Sequence, residues 1–446
     1  MSTWTPSTWR ASPALQQPDW PDQAALDAVL ARLAALPPLV FAGEMRSLTR
    51  SLARVCEGKA FVLQAGDCAE SFDFSADSIR DKLKVILQMA VVLTYESEVP
   101  VVKMGRIAGQ FAKPRSEPTE DLGGGNLIPS FRGHIVNDDA PTAEGRVANP
   151  QRLLQAYHQS AATMNLVRAF TKGGFADLRH VHLWDQPFVK SSPQGQRYER
   201  MAAEIDRILR FMGACGIDLD AAAGVNSVDF WTSHEALLLG YEESLTRQEA
   251  STGRWYDCSA HLLWVGDRTR HLDGAHVAFL TGVENPVAVK LGPSATPADA
   301  VALCQRLNPD AAPGRLTLVS RMGATRVREL LPPILRAVKA SGHPVVWVCD
   351  PMHGNTYVSP SGRKTRNFDD VLAEVQGFFA ACREAGVWPG GLHVELTGED
   401  VTECVGGSEA VLDSQLAERY LTTCDPRLNA RQSLDLAFRV AELLRA

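Results

Sequence analysis

Residues 286–350 contain, in order, PVAVKLG (286–292), TPADAVALCQRLN (296–308), RLTLVS (315–320), TRVRELLPPILRAVKASG (325–342) and PVVWVCD (344–350). Three short runs rich in Val and Leu alternate with two longer segments whose apolar residues recur at helical spacing, the pattern of parallel strands joined by crossover helices. The longer segments open on Thr296 and Thr325, which suit an N-cap, and close on Asn308 and Gly342, which suit a helix end. The same unit repeats outward in both directions. Before it stand FVLQAG from Phe61, PVVKMG from Pro100, SVDFWTS from Ser227 and HLLWVG from His261; after it stands GLHVEL from Gly391. SADSIRDKLKVILQMAVVLTYESE and NFDDVLAEVQGFFAACREAG supply further helices between them. Eight strands alternating with helices predict an α/β fold of the (β/α)8 TIM-barrel type, and the lack of a GxGxxG after the first strand speaks against an open dinucleotide-binding sheet.

The repeat is uneven in two places. Residues 1–60 precede the first strand, and DQAALDAVLARLAALPP within them reads as an amphipathic helix outside the barrel. Residues 61–446 are the barrel, interrupted at about 115–225 by an insertion after the second strand, too long for an ordinary βα loop. The insertion carries its own helical patterns, PQRLLQAYHQSAATMNLVRAFTKGG and SSPQGQRYERMAAEIDRILRFMGACG. The first has an apolar stripe of Leu153, Leu154, Tyr157, Met164, Leu166, Val167 and Phe170 that must be covered, by the barrel or by a second subunit.

The chain has 446 residues, 45% of them hydrophobic and 22% charged, which fits a globular protein with a large core. Its 45 Lys and Arg against 52 Asp and Glu give 45 − 52 = −7, which argues against nucleic acid or an anionic membrane as partner. The N-terminus lacks a signal-type apolar segment and an Arg-rich amphipathic one, so a cytoplasmic location is expected. Nine cysteines without a CxxC pair suggest neither a disulfide framework nor a zinc ribbon. Gly123, Gly124 and Gly125 are not followed by Gly-Lys-Ser/Thr, so they are a loop and not a phosphate-binding P-loop.

Barrels of this kind place their chemistry at the carboxyl ends of the strands. Those ends carry Asp67 and Cys68; Arg106, Lys113 and Arg115; His234 and Glu235; Asp267, Arg268 and Arg270; Lys290; Arg321; Asp350 and His353; and Glu395. Strand alternation turns Lys290 inward with Ala288 and Glu395 inward with His393, leaving Val289 and Val394 for the outer helices. A single Lys or Arg there would be a solvated loop residue. Six or more cations converging on one rim of a net acidic protein imply small anionic ligands, phosphates or carboxylates. Cys68, His353, Glu395 and Asp425 reach the same mouth, and a thiolate, an imidazole and two carboxylates suit Mn²⁺, Co²⁺, Fe²⁺ or Zn²⁺ better than Mg²⁺ or Ca²⁺. Cys424, next to Asp425, falls near Cys68, so both a disulfide formed on oxidation and a reduced buried pair are open.

QAGDCAESF from Gln64, RIAGQFAKPRS from Arg106, SHEALLLGYE from Ser233, GDRTRHLDGAH from Gly266, VKLGP from Val289, TLVSRMG from Thr317, CDPMHGNT from Cys349, KTRNFD from Lys364, HVELTGE from His393, VTECVGG from Val401 and CDPRLN from Cys424 follow one another along the chain. In these motifs the sequence resembles the long-form type II 3-deoxy-D-arabino-heptulosonate 7-phosphate (DAHP) synthases, first enzymes of the shikimate pathway. The resemblance implies a barrel with an N-terminal extension and helices inserted after the second strand. It implies one divalent metal per chain, Mn²⁺ or Co²⁺, on Cys68, His353, Glu395 and Asp425, and no organic cofactor. Phosphoenolpyruvate would lie on Arg106, Lys113, Asp267, Arg268, Lys290 and Arg321, and the phosphate of erythrose 4-phosphate on Arg115 and Ser116. The family pattern is usually GERTR, so Asp267 has an acidic arm one methylene shorter, which puts its direct contact in doubt.

The chemistry agrees with the residues. A Lewis acid polarises the aldehyde oxygen, fixed cations bring two mutually repelling phosphorylated substrates together, and Lys113 or Glu395 handles protons. The resemblance further implies a homo-oligomer, dimer or tetramer, feedback by aromatic amino acids through the added helices, and a chorismate mutase as protein partner. The competing readings are another metal-dependent barrel aldolase, a 3-deoxy-octulosonate-type synthase using arabinose 5-phosphate, and a non-catalytic regulatory relative. The last would have lost a metal ligand or a phosphate-binding cation, and none is lost.

Overall fold

The computed structural model describes residues 4–446 apart from 74, 122, 124, 185, 186, 191, 220–226 and 409, so Gly124 and the end of the insertion lie outside the described residues. Eight parallel strands close into a barrel: β1 (Phe61–Gly66), β2 (Val101–Arg106), β3 (Trp231–Glu235), β4 (Leu262–Val265), β5 (Val287–Leu291), β6 (Leu316–Ser320), β7 (Val346–Cys349) and β8 (Gly391–Glu395). Each pairs with its sequence neighbours, and β8 closes on β1 in the register Gly66 to Glu395. Every predicted strand is present. The third starts at Trp231 instead of Ser227, because Val228 donates its N–H to Thr171 O of the insertion and the run reaches the barrel only after Phe230.

The longer helices are α1 (Gln23–Ala34), α2 (Ala42–Cys56), α3 (Ala76–Ser97), α4 (Gln151–Lys172), α5 (Pro193–Ala214), α6 (Pro297–Leu307), α7 (Val327–Ala340), α8 (Phe368–Ala385) and α9 (Ala430–Arg445). Ser75, Ser192, Thr296 and Asn367 cap α3, α5, α6 and α8 through side-chain oxygens. Thr325 does not cap α7. Arg326 holds that position without a side-chain bond, and Val327 donates to the Gly323 carbonyl.

Alternation along the strands separates two environments. Val289, Leu291, Leu392 and Val394 pack outward in the core shared with the helices, whereas Val62, Met104, Leu262, Ala288 and Val346 fill the barrel interior. The extension does more than add one outer helix: Leu48, Leu52 and Val55 of α2 join the interior cluster and close the barrel floor. The α4 stripe is covered within this chain. Leu153, Ala156 and Tyr157 pack on Leu26, Val29 and Leu33 of α1, and Val167 packs on Ile79 and Ile107. Among the described residues no helix is long and apolar enough to cross a membrane.

Candidate active site

The loops after the strands converge on a cavity of about 430 Å³ lined by seven cations, Arg106, Lys113, Arg115, Arg268, Lys290, Arg321 and Lys364. Cys68, Ser116, Asp267, His353 and Asp425 line the same cavity. Glu395, fully buried, lies just beneath it. All the site residues read from the sequence thus meet in one place, because each stands at or after the carboxyl end of a strand of one closed barrel.

The thiol of Cys68 and the carboxylates of Glu395 and Asp425 have ligand atoms within 4.8 Å of one another. His353 adjoins this set without belonging to it: Nε2 is 3.0 Å from Glu395 Oε1, and Nδ1 is 2.8 Å from Asp350 Oδ2. Asp350 on Nδ1 orients the ring and leaves Nε2 to ligate, the arrangement found behind metal-bound histidines. This mixed donor set, with its outer carboxylate, fits a borderline divalent ion. The Cys68 and Cys424 thiols are both free, and Cys68 Sγ accepts the Asp425 N–H at 3.1 Å. Burial pushes the Cys68 thiol well above its ordinary range.

Charge is balanced pair by pair. Lys113 contacts Asp425 and stands 3.3 Å from Cys68 Sγ, while Lys364 meets Asp425 Oδ1 at 2.7 Å. Burial alone would raise Asp425, but Lys113, Arg366 and Lys364 hold it well below the usual carboxylate range. Burial acts the same way on Glu395 and is overcome by His353, Arg366 and Arg106. Arg106 donates to Glu395 Oε1 at 2.9 Å. Arg366 Nη2 lies 2.8 Å from Glu395 Oε2, near enough for charge pairing though not aligned as a hydrogen bond. Lys290 donates to Asp350 at 2.7 Å.

His393 links this layer across strands. An arginine only donates, so the Arg106 contact falls on an unprotonated Nε2, and Nδ1–H donates to Gln64 Oε1 at 2.8 Å. Gln64 in turn donates to Ser233 Oγ at 2.9 Å. Burial, with Lys290 and Arg106 nearby, keeps this imidazole neutral.

The shorter acid at 267 has a defined task. Asp267 accepts from Arg270 at 2.9 Å, Arg321 at 3.1 Å and Gly292 N at 2.8 Å, so it fixes two arginines. Arg268 donates to Ser116 Oγ at 2.5 Å, joining the KPRS strap to the fourth strand's loop, and Arg115 pairs with Glu120 at 3.0 Å.

Besides the fully buried Asp350 and Glu395, three strand-end residues do not line the cavity. Asp67 turns to Lys82 and Arg427, Arg270 to Asp267, and His234 is buried against Glu242 at 2.9 Å, where burial pushes its pKa down to about 4. The reading of strand ends missed Lys364, Arg366 and Arg427. They sit in the quoted motifs KTRNFD and CDPRLN, but beyond the barrel strands, where period-2 alternation assigns no side-chain direction.

Fold and site together define a barrel enzyme for small anionic substrates, with room for a divalent metal. A family model described as the class-II DAHP synthetase family matches residues 4–441, and the chain belongs to that family. The chain is 57% identical over 440 residues to a Streptomyces coelicolor protein named phospho-2-dehydro-3-deoxyheptonate aldolase, covering 98% of this chain and 97% of that one. It is 52% identical over 441 residues to the Mycolicibacterium smegmatis protein named phospho-2-dehydro-3-deoxyheptonate aldolase AroG, covering 98% and 93%.

Proposed function

We propose that this chain condenses phosphoenolpyruvate with D-erythrose 4-phosphate and water, releasing DAHP and inorganic phosphate. The observation that carries the reading is a single cavity in which seven cations adjoin a thiol, two carboxylates and an imidazole. Arg106, Lys113, Arg268, Lys290 and Arg321 hold the carboxylate and phosphate of phosphoenolpyruvate. Arg115 and Ser116 hold the aldose phosphate, and Asp267 serves by positioning Arg321. Cys68, His353, Glu395 and Asp425 would hold Mn²⁺ or Co²⁺, which supplies Lewis acidity toward the aldehyde oxygen. Lys113 reaches into the cavity whereas Glu395 is sealed beneath it, so the proton needed at that oxygen comes from the Lys113 ammonium. Six of the seven cations are already fixed by ion pairs, and Arg268 by its bond to Ser116, so they need no rearrangement as charge shifts.

The test follows the enol absorbance of phosphoenolpyruvate in chelated protein, then after adding Mn²⁺ or Co²⁺, with arabinose 5-phosphate as parallel acceptor. Turnover is expected with erythrose 4-phosphate and only with metal. Full activity in chelated protein would overturn the metal site, and preference for arabinose 5-phosphate would overturn the substrate.

In the same reading, residues 1–60 and the insertion at about 115–225 are additions to a catalytic barrel of 61–446, used for homo-oligomer assembly and feedback by aromatic amino acids. A cleft of about 180 Å³ between the extension and the segment after β3, lined by Trp9, Trp20, Leu238 and Tyr241 with Leu153 of the insertion at its edge, supports this. Tryptophan, phenylalanine and tyrosine titrated by calorimetry should show at least one binder; no heat from any of them sinks the regulatory claim.

A further inference from the structure

The cavity that gathers cations for phosphates and carboxylates also contains a carboxylate that none of them neutralises. Glu235 ends β3 and lines the cavity, and it is only 8% exposed. Its backbone N–H donates to Gln110 Oε1 at 2.9 Å, yet among the described residues its side chain enters no hydrogen bond or ion pair, and Oε1 is buried without a partner. The buried carboxylate of Asp425 is engaged by Lys113 and Lys364, and the half-buried Asp267 by Arg270 and Arg321. The exception is held in place. A Cβ on Gly266 would come within 2.2 Å of Glu235 Oε1, so the side chain lies directly against that glycine, and Glu235 is paired in register with Trp264. The Trp264 ring stands 5.2 Å from the Arg106 guanidinium and 5.7 Å from Lys290 Nζ.

A buried acceptor without a donor costs free energy unless a ligand supplies the donor. An ionised carboxylate has only acceptor sites, and in this cavity it repels phosphate and carboxylate groups, so the donors must be neutral. Its neighbours place it between the two anion-holding sets: Gly266 leads into Asp267 and Arg268, Gln110 leads into the Lys113–Ser116 strap, and Trp264 carries Arg106 and Lys290. Between an aldehyde carbon and a terminal phosphate, the four-carbon aldose phosphate has two hydroxyl groups. Phosphoenolpyruvate has none.

We infer that Glu235 accepts a hydrogen bond from a carbinol hydroxyl of the aldose phosphate and sets specificity for a hydroxylated acceptor. The inference rests on the proposed condensation, and wild-type turnover of phosphoenolpyruvate with erythrose 4-phosphate tests that reading separately. The experiment compares wild type, Glu235→Gln and Glu235→Ala with erythrose 4-phosphate and with its 2-deoxy and 3-deoxy analogues, each protein first checked for folding by circular dichroism. For wild type, kcat/KM should fall roughly 10- to 100-fold on at least one analogue, as for loss of a hydrogen bond to a charged group. Glu235→Ala should lose a similar factor on erythrose 4-phosphate and then fail to distinguish it from that analogue. Glu235→Gln, which keeps an acceptor oxygen, should fall between. The KM for phosphoenolpyruvate should stay within about twofold. A Glu235→Ala enzyme that still discriminates against both analogues as wild type does, or one whose phosphoenolpyruvate KM rises as far as its kcat/KM for the aldose falls, overturns the assignment.

Discussion

The two ends of the barrel interior are built on the same strands and are equally buried, but different physics holds them together. At the amino ends, inward positions are Val62, Val102, Leu262, Ala288 and Val346, sealed by Leu48, Leu52 and Val55 of α2. Two to four residues further along the same faces stand Gln64, Arg106, Lys290, Asp350, His393 and Glu395, of which the most exposed, Lys290, is 6% accessible. The lower end is stabilised by removing apolar area from water. The upper end depends on charges that, Glu235 apart, are held by partners, since an ion pair in a low-dielectric interior is costly to break from one side. One closed sheet thus carries a tolerant floor and an intolerant mouth.

The sharpest way to break this contrast is to truncate one residue at each end. Glu395→Ala leaves the Arg106 and Arg366 guanidiniums, 2% and 0% exposed, without their shared carboxylate. It should cost about 3–5 kcal/mol of stability, as one-sided loss of a buried pair does, and also abolish turnover. Leu262→Ala at the floor removes apolar atoms and leaves a cavity, for about 2–5 kcal/mol, while the folded fraction keeps kcat within a few-fold. Urea titration with turnover per folded molecule checks both. If Leu262→Ala silences the folded enzyme, or Glu395→Ala keeps its activity, the two ends are not separable.

The same division explains what was legible in the sequence. The floor and the outer face follow a period of two, so Ala288 and Val289, or His393 and Val394, could be assigned to their sides from alternation alone. Topology then carries every strand end to one rim, which is why Cys68, His353 and Asp425 could be grouped from positions nearly 360 residues apart. In α2 the apolar positions Met45, Leu48, Leu52 and Val55 do recur at helical spacing, but nothing in that pattern states that the helix turns inward to plug a barrel. Partners were equally silent. That Asp67 faces Lys82 and Arg427, or that Glu235 faces none among the described residues, depends on loop geometry beyond the reach of periodicity.

The smallest effect lies where the floor meets the additions. Glu44, third residue of α2, accepts the Phe41 N–H at 2.9 Å, pairs with Arg168 of α4 at 3.1 Å and lies 3.7 Å from His261 Nε2 below β4. Burial would raise its pKa, but His261, the Phe41 N–H and Arg168 bring it down from 4.5 to about 2. A depressed folded-state pKa means the carboxylate stabilises the fold fully above pH 4.5, and this contribution is lost as pH falls through about 2. The side chain is 38% exposed, so solvent and salt screen the interaction and it should amount to only about 0–1 kcal/mol. Glu44→Gln should therefore differ from wild type by less than about 1 kcal/mol at neutral pH, and the gap should narrow between pH 4.5 and 2 and at high salt. A difference that stays constant across that range, or exceeds that of Leu262→Ala, would place the extension's attachment on charge and not on the apolar floor that α2 seals.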